Sequence, residues 1–157
     1  MKSWVLSLLA WWVSGVALAA SPGELEAQSK ALERATNAVV GVQTLAVPDA
    51  RSNSTLGRVR QGSGVVIAPD GLVLTIGYLI LEADQVQLLL DSGRHLPARV
   101  VGYDLATGFG LLQPLAPLNI PPAPLGASRA VTPEDSLLVV SGVPSAQLSA
   151  ARMVSRR

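Results

Sequence analysis

The chain contains no cysteine and only one histidine, His95. Both facts limit the catalytic and metal sites that the chain can form. Without cysteine there is no disulfide framework, no thiolate metal site and no thiol nucleophile. One imidazole supplies too few ligands for a zinc site, so we expect neither a metal nor another cofactor. Aromatic residues make up only 4% of the sequence. The sequence is instead rich in Val, Leu, Ala, Gly and Pro, a composition that favours short strands joined by tight turns.

An excess of charge of either sign is also missing. The sequence has 12 basic and 11 acidic residues, and the basic ones form no patch. Nucleic-acid binding needs a basic patch, so we expect no nucleic-acid partner. The terminal pair Arg156-Arg157 is interpreted as a solvated tail.

Residues 1–19 have the pattern of a secretory signal peptide. Lys2 gives a positive start, Trp4 to Val16 is apolar, and Ala17-Leu18-Ala19 is a small-x-small cleavage site. The apolar run is short for a membrane span, which needs about 20 residues. An uncleaved anchor is the alternative, and we expect membrane association only through it. The pattern predicts a secreted or bacterial periplasmic protein, and such a compartment is compatible with a chain lacking cysteine.

Residues 20–37 are predicted to form an N-terminal helical segment. Leu25, Leu32 and Ala35 recur near helical spacing within Glu24 to Thr36. A disordered spacer after the signal peptide is the alternative interpretation.

From residue 38 onward, short apolar stretches alternate with turn signals, which predicts an all-β barrel or sandwich. Asp70-Gly71 between two apolar stretches is a typical hairpin turn. Residues 47–60 are predicted to form an exposed loop. Five prolines between residues 114 and 124 mark residues 114–130 as a connector. The predicted strands are 39–44, 64–68, 72–75, 85–90, 95–103, 109–112 and 136–140.

One stretch carries a recognisable motif. Gly62-Ser63-Gly64, an apolar strand and the Asp70-Gly71 turn lead to Thr75, and Tyr78 follows three residues later. This order resembles the G-S-G and T-x-x-H-V segment of trypsin-like serine proteases of the HtrA/Do type. Further pieces resemble the family in the same order between Ala38 and Gly142: Ala83-Asp84, Asp91–Arg94, Ala98–Asp104, Leu111-Leu112, Pro124–Ser128 and Val139–Gly142.

The resemblance implies a chymotrypsin-like fold of two six-stranded antiparallel barrels with an active site between them. Residues 38–113 are then expected to form the first barrel. Residues 131–157 are expected to begin a second barrel that stops early, as in a truncated frame or a fragment.

The resemblance also locates the catalytic triad, and none of its three members is present. The histidine position is Tyr78, and tyrosine side chains have a reference pKa of about 10, against about 6.5 for histidine. The carboxylate position, four residues after Asp104, is Gly108. The nucleophilic serine belongs to the second barrel, and no G-N-S-G-G-like segment occurs. We therefore assign no catalytic residue, and we interpret Asp104 as a turn residue.

Other residues offer weaker candidates. His95 follows a hairpin turn on a half-exposed strand and is interpreted as a surface residue. Two serines are considered as nucleophiles. Ser63 lies between two glycines, which permit close backbone packing, and Ser141-Gly142 lacks the G-x-S-x-G pattern of a nucleophile elbow. Asp91-Ser92-Gly93, followed by Val100–Gly102, resembles an aspartic-protease motif, but the segments lie only one hairpin arm apart. A simple hairpin turn is the favoured interpretation.

Two hypotheses remain open. In the first, the chain is an exported, trypsin-like pseudoprotease or fragment without a triad. It would bind peptides, unfolded protein segments or a partner, or would self-associate through the face that normally packs on the second barrel. In the second, it is an active protease: either a serine endopeptidase in its full-length form, or a dimeric aspartic-type enzyme using Asp91-Ser92-Gly93.

Overall fold

A helix precedes the β-structure, as predicted. The computed structural model describes residues 22–142 and 146–155, and it begins with helix α1, Pro22–Asn37. Proline suits the first turn of a helix, where the missing N–H has no intrahelical partner. The predicted signal peptide, residues 1–19, lies outside the described residues. Across the two described ranges, no helix is both long and apolar enough to cross a membrane.

Six strands close into an antiparallel barrel, which confirms the predicted all-β class and strand number. The order around the barrel is β1-β2-β3-β6-β5-β4, and β4 pairs with β1 to close it. The strands are β1 Val39–Ala46, β2 Val59–Val66, β3 Val73–Ile76, β4 Ala83–Leu89, β5 His95–Asp104 and β6 Phe109–Pro114.

The barrel is filled by the inward side chains of these strands. Alternate residues of a strand face opposite sides, and on β1 this places Val40 and Val42 inside. Each fully buried aliphatic side chain contributes about 1.5–3 kcal/mol of stability relative to exposure. The same core contains Val66, Val73, Val86, Leu88, Leu96, Ala98 and Leu112.

A single helical turn, α3 (Gly77–Ile80), closes one end of the barrel between β3 and β4. Leu79 and Ile80 point inward and are almost fully buried. Gly62 leaves room for Leu79, since a Cβ there would lie 2.6 Å from Leu79 Cδ1, and Gly110 leaves room for Ile80 in the same way. The buried Thr44 hydroxyl donates a 2.6 Å hydrogen bond to the Leu79 carbonyl. The core therefore fixes the turn that carries Tyr78.

A two-stranded sheet follows the proline-rich connector and lies outside the barrel. Its strands are β7, Leu137–Ser141, and β8, Gln147–Ala151, which pair antiparallel. The sheet reaches the barrel at Gly142, whose N–H donates a 2.9 Å hydrogen bond to Ser63 Oγ. A Cβ at Gly142 would lie only 2.5 Å from the Val40 carbonyl oxygen. Gly142 therefore lets two backbones approach closely.

The predicted loop 47–60 was partly wrong. It contains the short helix α2, Asn53–Leu56, and its last two residues already belong to β2. Val59 pairs with Leu45 and Arg60 with Thr44, and the Arg60 side chain is buried rather than exposed. The strand boundaries otherwise shifted by a few residues, and α3 and β8 were not predicted.

The connector also begins later than predicted. Pro114 ends strand β6 and pairs with Ala98 on β5. Proline is tolerated at a strand end, where its missing N–H removes no ladder hydrogen bond from the sheet interior. That residues 131–157 begin a second barrel stays a prediction.

We predict that Gly142→Ala loosens the contact between the β7–β8 sheet and the barrel. The added methyl group meets backbone rather than a flexible side chain, and overpacking of this kind costs about 1–3 kcal/mol. Hydrogen exchange should accelerate in strands β7 and β8 while the barrel amides keep their protection. Gly126→Ala is the control, because a Cβ there meets no atom within 4 Å. Equal exchange in both variants would contradict the close approach.

Candidate functional site

Tyr78, at the predicted histidine position, lies on the outer side of α3. Its side chain is 45% exposed, between the buried residues Gly77 and Leu79. The phenol therefore faces solvent while the turn beneath it is held by the core. Tyr78 is a surface group presented by a rigid support.

Gly108, at the predicted carboxylate position, lies beside that turn. The Gly77 N–H donates a 2.6 Å hydrogen bond to the Gly108 carbonyl oxygen. Gly108 has a φ of +74°, in the left-handed region that favours glycine. A Cβ there would have no atom within 4 Å. An aspartate at this position would be strained and would begin in open space.

Tyr103 packs against the same turn. A Cβ at Gly77 would overlap the Tyr103 ring. The ring can therefore pack against the turn only because residue 77 is a glycine. On the outer face, Ile76 of β3 and Phe109 of β6 are cross-strand partners, and both are about half exposed.

These side chains form one apolar edge of the barrel, which we call the aromatic rim. It lies where β3 and β5 end and β6 begins. The three tryptophans of the chain are in residues 1–12, outside the described residues. Every aromatic residue that the structure describes therefore belongs to this edge. The aromatic rim consists of Ile76, Tyr78, Tyr103, Leu105 and Phe109.

A buried arginine holds the α3 turn from below. Arg60 is only 4% exposed, and its Nη1 donates to the carbonyls of Tyr78 and Leu81 at 2.9 and 2.6 Å. The last carbonyls of a helix have no intrahelical partner, and the guanidinium supplies one. The remaining donors bind the Gly57 carbonyl and, at 2.6 Å, the Ser52 hydroxyl.

Glu82 completes this polar cluster, which we call the Arg60 clamp (Ser52, Arg60 and Glu82). Its carboxylate accepts hydrogen bonds from the N–H groups of Arg51 and Ser52 and from the Ser52 hydroxyl. The Ser52 hydroxyl is the main cause that lowers the pKa of Glu82 below its ordinary value, and the Arg60 charge adds a smaller lowering. The clamp ties the 47–58 loop to α3.

Glu82 also has a φ of +53°, which is uncommon for a residue other than glycine. The strain is offset by the hydrogen bonds of its carboxylate. Sequence analysis missed the whole clamp, because its members lie in three separate segments and no local motif joins them.

Asp104 is a turn residue, as predicted. Its carboxylate accepts a 3.1 Å hydrogen bond from the Ala106 N–H and a 2.6 Å one from the Thr107 hydroxyl. The Thr107 hydroxyl is the main cause that lowers the pKa of Asp104. These contacts stabilise the turn that presents Gly108.

The remaining candidates lie apart from this site. His95 is exposed, and its Nδ1 lies 3.2 Å from Gln87 Oε1 on the neighbouring strand. Asp91 and Ser92 are exposed in a turn closed by the Gly93 N–H, which donates to the Leu90 carbonyl at 2.8 Å. Among the described residues, no three His, Asp or Glu side chains come close enough together to hold a metal ion.

We predict that Arg60→Lys destabilises the protein by about 1–3 kcal/mol, because an ammonium group cannot satisfy all four acceptors and buried carbonyls lose their partners. Urea unfolding measures the change. Arg99→Lys is the matched control, since Arg99 is exposed on β5. Equal stabilities of the two variants would show that the clamp does not hold α3.

The clamp also predicts a pH dependence. Because the folded-state pKa of Glu82 is lowered, its contribution to stability is present above the ordinary glutamate pKa of about 4.3. That contribution is lost as the pH falls through the lowered value. Glu82→Gln should therefore be less stable than wild type at pH 7 and converge with it in acid. A constant difference across this range would contradict the assignment.

Comparison with known proteins gives the family. Residues 62–156 match the family model described as "Trypsin-like peptidase domain". Over 110 residues the chain is 32% identical to the serine endoprotease DegS of Escherichia coli K12, which covers 70% of this chain and 31% of DegS. A probable periplasmic DegP-like endoprotease of Brucella suis is 39% identical over 59 residues, 38% of this chain and 12% of that protein.

Solved structures agree with the sequence relatives. The HtrA-type protease AlgW with tripeptide superposes with a TM-score of 0.67 at 25% identity, over 81% of this chain and 39% of AlgW. A serine endoprotease of Yersinia pestis gives 0.64 at 25% identity, over 81% of this chain and 44% of that structure. The chain thus spans less than half the length of each of these four proteins. Its barrel has the chymotrypsin-like fold, and the chain belongs to the trypsin-like, HtrA-type protease family.

Proposed function

We propose that this chain is a non-hydrolytic member of the family, and that it binds a peptide or a protein partner at the surface around Tyr78. One observation carries the proposal. The two positions predicted for the triad histidine and carboxylate hold a phenol and no side chain, and the backbone hydrogen bond from Gly77 to Gly108 holds their two segments together.

The missing groups have defined chemical consequences. A general base works best with a pKa near the operating pH, a condition that imidazole meets and phenol does not. The carboxylate fixes the tautomer of the base, and glycine has no side chain that could replace it. Loss of triad members lowers the rate of such enzymes by about 10⁴- to 10⁶-fold.

The surface itself supports a binding role. The aromatic rim gathers exposed apolar side chains at one end of the barrel, and exposed apolar patches mark interaction sites. The related protease AlgW was solved with a tripeptide, which by analogy favours peptides or unfolded protein segments as ligands here.

We also propose export to the periplasm. The signal-peptide pattern of residues 1–19 supports this location, and so do relatives such as the probable periplasmic endoprotease of Brucella suis.

Activity in a longer form is the second candidate. The chain spans 31% of DegS, so a full-length serine endopeptidase would need to supply its nucleophile from outside these residues. An aspartic-type dimer using Asp91 has less support, because that side chain is exposed in a simple hairpin turn.

We predict that the chain does not hydrolyse casein, and that Tyr78→His does not create activity. The double variant Tyr78→His/Gly108→Asp should also stay inactive. The positive φ at Gly108 would strain an aspartate, and the new side chain would extend from the backbone into open space. Release of acid-soluble peptides measures hydrolysis, with an active HtrA-type protease run in parallel.

Cleavage by the wild-type chain would overturn the proposal. If that cleavage disappeared in Asp91→Ala, the aspartic alternative would replace it. Cleavage gained by Tyr78→His alone would show that a serine and an orienting group are already in place.

A further inference from the structure

We propose that a cavity at the other end of the barrel from Tyr78 binds a short peptide that has a free amino terminus, a free carboxyl terminus and an apolar side chain. The cavity lies beside Arg94, where β5 begins, whereas the aromatic rim lies where β5 ends. This strand has 10 residues, so its two ends are about 30 Å apart. The site is separate from the surface around Tyr78 and goes beyond the proposed function.

The walls of the cavity come from four parts of the chain. The end of α1 contributes Asn37, and the start of β1 follows directly. The turn between β4 and β5 and connector residues 118–121 provide the remaining walls. The cavity has a volume of about 420 Å³, which lies in the range of about 300–1,000 Å³ that is typical of sites for small ligands.

Part of this lining is apolar and firmly held. Val39, Val40 and Leu118 line the cavity and are only 8%, 2% and 6% exposed. Val40 and Leu118 belong to the barrel core, and Leu90 and Ile120 pack against that core. An aliphatic side chain of a ligand would be removed from water here, which is the main driving force in sites of this kind.

Two opposite charges line the same cavity. Asp91 and Arg94 both belong to the turn between β4 and β5, and both are exposed. Within residues 22–142 and 146–155, neither side chain has a hydrogen bond or an ion pair. Arginine can bind a carboxylate through two parallel hydrogen bonds, and an aspartate carboxylate can accept hydrogen bonds from an ammonium group.

This pair of charges favours a ligand that carries both signs. A simple anion attracted by Arg94 would meet the like charge of Asp91, and a simple cation would meet the like charge of Arg94. Like charges brought together oppose binding. A short peptide is a zwitterion at neutral pH, because its terminal carboxyl has a pKa of about 3.5 and its terminal amine a pKa of about 8. The charges therefore favour a free peptide over a phosphate or a fatty acid.

Two side-chain amides suit the peptide bond between those termini. Asn37 and Asn119 both line the cavity, and in the described part of the chain neither side chain has a hydrogen bond. An amide side chain offers both a donor and an acceptor. A peptide bond presents one N–H and one carbonyl, so each asparagine can satisfy either group.

The walls are ordered without a ligand. In the turn, the Leu90 N–H donates to the Arg94 carbonyl at 3.0 Å, and the Gly93 N–H donates to the Leu90 carbonyl at 2.8 Å. Beside Asn37, the Ala38 N–H donates to the Arg34 carbonyl at 3.2 Å. A site that is formed before binding loses less conformational freedom when the ligand arrives.

An NMR titration of the purified, isotope-labelled chain with the dipeptide alanyl-leucine tests the proposal. We expect a Kd on the order of 1 mM, the strength that typical efficiencies give for a ligand of this size. Amide shifts should be confined to the end of α1 and to residues 90–94 and 118–121. N-acetyl-alanyl-leucine lacks the ammonium group and alanyl-leucine amide lacks the carboxylate, and each should bind at least about tenfold more weakly.

Two substitutions assign the charges. Asp91→Asn should remove the preference for a free amino terminus over an acetylated one, and Arg94→Gln should remove the preference for a free carboxylate over an amide. Both side chains are exposed, so the fold should be kept, and the same spectra report whether it is. Asp84→Asn and Arg99→Gln are the matched controls, because both residues are exposed on these two strands and neither lines the cavity.

Absence of amide shifts at about 20 mM dipeptide, well above the expected Kd, would overturn the inference. Equal binding of the free and blocked dipeptides to the wild-type chain would do the same, and so would shifts that cluster at the aromatic rim. Tyr78→Ser should bind the dipeptide as wild type does. The titration involves no hydrolysis, so this inference and the proposed function succeed or fail separately.

Discussion

The rest of the structure depends on how the α3 turn is anchored at the end of the barrel. Leu79 and Ile80 fill space left open by strand glycines, while Thr44 and Arg60 satisfy the carbonyls of the turn. A buried charge is tolerated only where its donors are used, and all of the guanidinium bonds end on fixed acceptors. The turn therefore keeps its position whatever side chain it carries on the outside.

That anchoring separates the fold of a protease from its chemistry. The hydrogen bond between Gly77 and Gly108 keeps the two predicted triad positions, Tyr78 and Gly108, close together. Catalysis needs an imidazole and a carboxylate at those positions, but the barrel does not need either. A phenol on the outside of the turn and a glycine beside it fill none of the core, so the barrel accommodates both residues.

Much of the fold could be predicted from the sequence, because short turn and strand patterns, and the order in which they occur, indicate it. The Asp70-Gly71 turn, the alternating strands and the Asp104 turn were each visible as short patterns. The Arg60 clamp was not, since Ser52, Arg60 and Glu82 are brought together by barrel closure. The assignment of Tyr78 and Gly108 to triad positions stays a prediction, and the grouping of the described Tyr and Phe residues at one end of the barrel became apparent only in three dimensions.

Reaction with a fluorophosphonate is the most direct test of the central claim, that the chain keeps the fold of a serine protease without an activated nucleophile. Such probes form a covalent bond with a serine only where a base and an oxyanion site activate it. Intact-mass spectrometry of the purified chain should show no adduct under conditions that fully label an active HtrA-type protease. A stoichiometric adduct on any serine of this chain would contradict the account.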